Sequence, residues 1–243
     1  MTSSAWLFDD LNDIEGMRVT RSLLESLFKE TTRLFKRYYN NFDNDKREYG
    51  FYYSERQLHT FLTPAIDKLT KGFFLFESPI KRGKRGKRGK SGGRVDYWLN
   101  YRNSSYLLEV KHAWIRVHFR HGNEEFTLYK LEKTFQQAID QLDNSEDKVL
   151  EFMYRGNMFG VALAIVPVFG RGDVLMKVRD TDQLLSRVRK ECPKANAIYA
   201  WHLPRAYSKI LDIQMSSGAV VREFYPMVLF IAKVKKLSRT RNG

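Results

Sequence analysis

The chain has 243 residues, 42 Lys+Arg against 28 Asp+Glu, a formal net charge of +14 and a hydrophobic fraction of 43%. That is enough apolar material for a packed core, so wholesale disorder is excluded. A single cysteine, Cys192, excludes a disulfide framework and any zinc site built on paired thiolates.

In chain order, the spacing of Leu23, Leu24, Leu27, Leu34, Phe35 and Tyr38 predicts a helix over Arg18 to Asn44. Residues 1–50 are therefore expected to form an N-terminal helical extension packed on a single α/β domain over 51–243. The start of the chain lacks a basic segment followed by an apolar run, so no secretory signal is expected there. A second helix is expected from Ser54, where Ser54-Glu55-Arg56-Gln57 resembles a capping box and Leu58, Leu62, Ile66 and Leu69 form one stripe, as far as Gly72. Phe73 to Phe76 reads as a strand.

A run of eight cations without an acid follows: Lys81, Arg82, Lys84, Arg85, Lys87, Arg88, Lys90 and Arg94, with Lys-Arg-Gly repeated three times. Five more close the chain: Lys233, Lys235, Lys236, Arg239 and Arg241. These two patches hold nearly the whole net charge, as expected of a polyanion partner contacted at defined places. A solvated basic linker is the alternative reading.

Arg94 to Tyr101 and Tyr106 to Trp114 read as a hairpin across a four-residue turn, Arg102 to Ser105. Pairing Tyr101 with Tyr106 places Asp96 opposite Lys111 and Glu109 opposite Trp98. Asp96, Glu109 and Lys111 then share one face. Two carboxylates on a sheet call for neutralisation, and Mg²⁺ takes one or two carboxylates together with water and phosphate oxygens. A neighbouring ammonium would stabilise charge building on a phosphorane.

Further on, Leu128, Leu131, Phe135, Ala138, Ile139 and Leu142 predict an amphipathic helix ending near Asp143. Gly160 to Val166 is apolar throughout and suits a strand buried on both faces. The longest apolar run, Phe159 to Phe169, is too short to span a bilayer, so no membrane association is expected. A helix over Asp182 to Glu191 and strands near Ala197–Trp201 and Phe224–Val234 complete an α/β pattern. Of the histidines, His112 is read as packing. His59, one helical turn after Glu55, is read as a helix-surface residue within reach of a phosphate. His118 and His121 are read as flanking a loop.

Asp96, twelve intervening residues and then Glu109-Val110-Lys111 resemble the signature of the PD-(D/E)xK nuclease superfamily, which is restriction-endonuclease-like. Val95 stands in place of the name-giving proline. The resemblance implies a core of one helix, a three-stranded antiparallel meander, a second helix and a parallel strand. It implies that Asp96, Glu109 and the Val110 carbonyl bind Mg²⁺, with Mn²⁺ as a substitute, and that Lys111 is the catalytic lysine. Glu55 matches a glutamate that many members carry on the preceding helix; helix-start electrostatics would equally favour it. Gln137-Ala138-Ile139-Asp140-Gln141 is similar to a Gln-x-x-x-Tyr pattern of some subfamilies. Gln137 is thus an accessory candidate, although helical geometry turns it toward solvent.

The expectation is a cytoplasmic or nucleoid-associated Mg²⁺-dependent nuclease acting on nucleic acid, DNA in preference to RNA, gripped by the Lys81–Arg94 loop. A catalytically inactive nucleic-acid-binding protein on the same fold is the alternative.

Overall fold

The computed structural model describes residues 4–8, 14–41, 51, 55–81, 92–120, 123–144, 157–172, 181–203, 210–214 and 217–237. The elements in chain order are β1 (Ser4–Phe8), α1 (Met17–Asn40), α2 (Glu55–Thr70), β2 (Phe74–Lys81), β3 (Gly92–Tyr101), β4 (Ser104–His112), β5 (Trp114–Arg120) and β6 (Asn123–Tyr129). Then come α3 (Leu131–Asp143), β7 (Asn157–Arg171), α4 (Thr181–Glu191), β8 (Ala197–His202), β9 (Ile210–Gln214) and β10 (Val220–Lys236). This is a mixed α/β protein with a mostly antiparallel sheet. None of the described helices is long and apolar enough to cross a membrane.

One sheet runs β1-β8-β10-β7-β4-β3-β2; β5 joins it through β7 and carries β6, and β9 pairs with β10. β2, β3 and β4 form an antiparallel meander, and β7 returns parallel to β4 after α3. Alternation along β7 explains why it sits at the centre. Val161, Leu163 and Ile165 face the core shared with α1 and α2, whereas Ala162, Ala164 and Val166 face α3 and α4. A strand buried on both faces has no polar side to show water, which is why its sequence reads as one apolar run.

The two helical layers form by the same logic. Leu23, Leu24, Leu27, Phe28 and Phe35 of α1 and Leu58, Phe61, Leu62 and Ile66 of α2 are all buried on one side of the sheet. Leu131, Phe135, Ala138 and Leu142 of α3 close the other. Burying each such side chain contributes about 1.5–3 kcal/mol, enough to fix which helix face turns inward.

Several sequence expectations are corrected. The N-terminal fifty residues contain, besides α1, a strand, β1, which pairs with β8. Trp114–Arg120 and Asn123–Tyr129 pair as the antiparallel strands β5 and β6, so Leu128 belongs to a strand and α3 starts at Leu131. His118 therefore lies within β5, bonded to Thr127 Oγ1 at 3.2 Å, rather than beside a loop; His121 lies outside the described residues. The β3–β4 turn has two residues, not four: the ladder pairs Tyr101 with Ser104 and Tyr97 with Leu108. That moves the expected register by two. Trp98 pairs with Leu107, not Glu109, and the β3–β4 ladder ends at Tyr97–Leu108, so Asp96 does not pair with Lys111.

Gly170 lies opposite Phe224 where β7 meets β10. A Cβ there would overlap the buried Phe224 ring. Gly170→Ala is expected to destabilise the fold by about 1–3 kcal/mol, the usual result of overpacking, read as a lower urea midpoint at unchanged slope. An unchanged midpoint would show that the ring moves aside freely.

Candidate active site

The site forms where β3 leaves β4. Their ladder ends at Tyr97–Leu108. Beyond that point the Val110 backbone N–H donates to Asp96 Oδ2 at 2.7 Å, so a side-chain carboxylate takes over from the ladder. Two neighbours of Asp96 record the change of course: Tyr97 belongs to the α2-side core and Val95, two residues away, to the α3-side core. Glu109 and Lys111 lie at this parting of the strands.

Lys111 draws the elements together. Its Nζ donates to Glu55 Oε1 at 3.1 Å, to Glu109 Oε1 at 3.2 Å and to the Val110 carbonyl at 3.0 Å. An ammonium has three N–H donors, and these three acceptors use them all. The contacts join the first turn of α2 to two successive residues of β4. Burial is graded across them: the Glu109 side chain is 4% exposed, Lys111 13% and Glu55 42%. Glu55 is the solvent side of the cluster and Glu109 its floor.

The electrostatics follow from that gradient. Burial raises the Asp96 carboxyl above the ordinary aspartate range, offset in part by the Val110 N–H and the nearby Lys111 charge. For Lys111 burial pulls the pKa down, but Glu109, Glu55 and Asp96 together outweigh it and leave the pKa raised. The lysine is held as a cation by three acids.

His59 borders this group. Its Nδ1 is hydrogen-bonded to the Tyr97 hydroxyl at 2.6 Å, which also bonds Thr63 Oγ1 at 2.9 Å. Burial lowers the His59 pKa, opposed by the charges of Asp96 and Glu55, so the ring is held toward its neutral form. The sequence placed His59 on the right helix turn. Tyr97, next to Asp96 and on the opposite side of an ordinary strand, gave no such signal. His112 packs as expected, its Nε2 bonded to the Phe51 carbonyl at 2.9 Å and its ring edge-on to Trp114.

The other candidates are more dispersed. Gln137 is exposed on α3, which packs on the sheet face away from α2. Arg94 is exposed and pairs with Glu77 at 2.6 Å. Lys81 ends β2 with its side chain outside the described part, and Arg82, Lys84, Arg85, Lys87, Arg88 and Lys90 lie outside the described residues. Of the C-terminal cations, Lys235 and Lys236 pair with Asp143 and Glu15 within the fold; Arg239 and Arg241 lie outside the described residues.

Among the described residues no three His, Cys, Asp or Glu side chains are grouped closely enough to hold a metal ion unaided. The oxygens near Lys111 form a different kind of set: the carboxylates of Asp96 and Glu109 with the Val110 carbonyl. These are hard donors, and two of them already face one cationic atom, Lys111 Nζ. Such a set fits Mg²⁺, which usually leaves several positions to water and phosphate. Comparison with known protein families, curated proteins and solved structures finds no match to this chain.

Proposed function

We propose that this chain is a Mg²⁺-dependent nuclease that hydrolyses phosphodiester bonds, in DNA rather than RNA, on a restriction-endonuclease-like core. The observation that carries the reading is the convergence of Glu55, Glu109 and the Val110 carbonyl on Lys111 Nζ, with Asp96 bonded to the Val110 N–H beside them. The order of α2, the β2–β3–β4 meander, α3 and the parallel strand β7 supports the fold assignment.

Asp96, Glu109 and the Val110 carbonyl would hold Mg²⁺, or Mn²⁺ in its place. Bound there, the ion would polarise a phosphoryl oxygen and lower the pKa of a water. The remaining roles belong to side chains. The Val110 N–H fixes the Asp96 carboxylate in one orientation. Glu55, at the solvent edge, holds Lys111 forward from α2. Lys111 is kept cationic by its acids, and two of its acceptors, Glu109 and the Val110 carbonyl, are groups that would hold the ion; the N–H groups so released would be of the kind that stabilise charge developing on a phosphorane. A protonated amine accepts no proton, so Lys111 positions and stabilises rather than serving as general base.

The test is cleavage of supercoiled plasmid, linear duplex, single-stranded DNA and RNA with Mg²⁺, with Mn²⁺ and with EDTA. Cleavage of DNA with either metal and none in EDTA is expected. In EDTA the protein should still bind DNA, and affinity should fall steeply with salt as phosphate counterions are released. Metal-independent cleavage would overturn the site assignment; a flat salt response would remove the electrostatic part. Binding with no cleavage under any condition would favour the inactive nucleic-acid-binding protein.

A further inference from the structure

Large hydrophobic side chains stand exposed at the sheet edge: Phe73 at 69% and Leu75 at 51%, with Phe76, at 44%, turned onto His59 and Tyr97. Phe73 immediately precedes β2, the last strand of the sheet order, and the other two lie on it. A protein does not ordinarily leave a long apolar edge bare, since it invites association.

Phe73 divides two hollows. One, of about 550 Å³, has Tyr101 in its wall and Lys71 and Arg102 at its rim. The other, of about 210 Å³, runs along Leu75 and Trp98. Neither has a carboxylate in its lining. Arg102 lies 5.3 Å from the Tyr101 ring centroid, and among the described residues neither Lys71 nor Arg102 enters an ion pair. The same two strands, β2 and β3, carry the cation-rich loop at their other end.

We propose that this groove binds an unpaired stretch of DNA, with bases stacked on Phe73 and against the apolar wall of Leu75 and Trp98, and phosphates held by Lys71 and Arg102. Aromatic side chains interleaved with cations form the usual surface for single strands, because every base offers a ring face whatever its sequence. A duplex keeps those faces stacked inside and can offer the groove only phosphates. A second copy of this chain fits less well, since it would bring Lys71 and Arg102 of two molecules together. Tyr101 lies five residues along β3 from Asp96, about 17 Å at strand rise, so one strand could occupy groove and site together. The inference rests on the nuclease reading for its choice of polyanion and deepens it to a substrate class: DNA with an unpaired segment.

The experiment is fluorescence anisotropy in EDTA with labelled oligothymidylate, an abasic strand of equal length and a blunt duplex. Wild type should bind oligothymidylate more tightly than the abasic strand. Phe73→Ala, a change at an exposed position, should weaken oligothymidylate binding roughly fivefold or more and leave the duplex unaffected. Lys71→Gln with Arg102→Gln should flatten the salt slope for the single strand by about 1.4, the value for two lost phosphate contacts.

Equal binding of oligothymidylate and the abasic strand, or a Phe73→Ala variant within twofold of wild type, would overturn the proposal. So would a dimer, by light scattering, that Phe73→Ala converts to monomer. With metal chelated, these results do not depend on cleavage. A protein that fails here yet loses Mg²⁺-dependent cleavage on mutation of Asp96 keeps the nuclease reading and loses only the groove.

Discussion

Replacing Lys111 by alanine is expected to lower the rate of DNA cleavage by about 10²–10³-fold, the range found when one preorganised donor to a developing oxyanion is removed. Binding in EDTA should stay within a few-fold of wild type, because the proposed reading assigns phosphate contact to other cations. The substitution also has a structural effect that must be separated from the catalytic one. Glu109 is nearly buried and its Oε1 faces the ammonium at 3.2 Å. Removing one partner of a buried pair typically costs about 3–5 kcal/mol; here the half-exposed Glu55 moderates the effect. The variant should therefore melt lower than wild type at neutral pH. Added Mg²⁺ should raise its melting temperature more than that of wild type, since a cation held by Asp96, Glu109 and the Val110 carbonyl, as proposed, would replace the missing charge. Restored stability without restored cleavage would separate Lys111's chemical role from its packing role. Full cleavage by the variant would remove Lys111 from the mechanism.

Asp96→Asn is expected to abolish metal-dependent cleavage and to stabilise the protein at pH 7. The amide oxygen can still accept the Val110 N–H, so the local fold is kept while the charge is lost. The sign follows from the raised Asp96 pKa. An acid whose folded pKa lies above its unfolded value, about 3.9, disfavours folding once it must ionise. The penalty is absent below that unfolded value, accrues as pH rises toward the folded pKa, and is constant above it. Thermal unfolding of the two proteins across pH should give a higher midpoint for Asp96→Asn at pH 7 and a difference that vanishes below about pH 4. A variant less stable than wild type at pH 7 would mean that Lys111 depends on the Asp96 charge more than burial penalises it.

The β4 part of this site was legible because strand parity survives an error of two. The chain has Arg102-Asn103 at the hairpin tip, not one of the glycine-containing pairs that mark two-residue turns. Arg102 takes a positive φ of 55° there, which nothing in its side chain advertises. A four-residue turn was the natural expectation, and it shifts every pairing by two while leaving each side chain on its face. Glu109 and Lys111 thus stay on one face of β4, whereas Asp96 lies where β3 changes course and parity alone does not place it. The contact by which Asp96 receives the Val110 N–H was not legible, since it depends on the strands parting.

The elements divide the same way. β7 and α3 are visible as an apolar run and a helical stripe. β1 gains its partners from β8, almost two hundred residues later, and its five residues carry no local period. β5 does alternate, with Ile115 and Val117 buried and Arg116 and His118, each next in the chain, only half-buried. Its charged half resembles a loop until β6 is found beside it. Lys235 and Lys236 read as part of a free basic tail, whereas acids distant in sequence, Asp143 and Glu15, pair with them.

The most direct test is single-turnover cleavage of an end-labelled DNA carrying both a duplex and an unpaired segment, with wild type and Asp96→Asn side by side in Mg²⁺. Strand scission by wild type, absent in the variant and in EDTA, is the expected result. Equal scission by both proteins, or none by wild type with Mg²⁺ or Mn²⁺ while it binds the DNA, would contradict a hydrolytic centre at Asp96, Glu109 and Lys111.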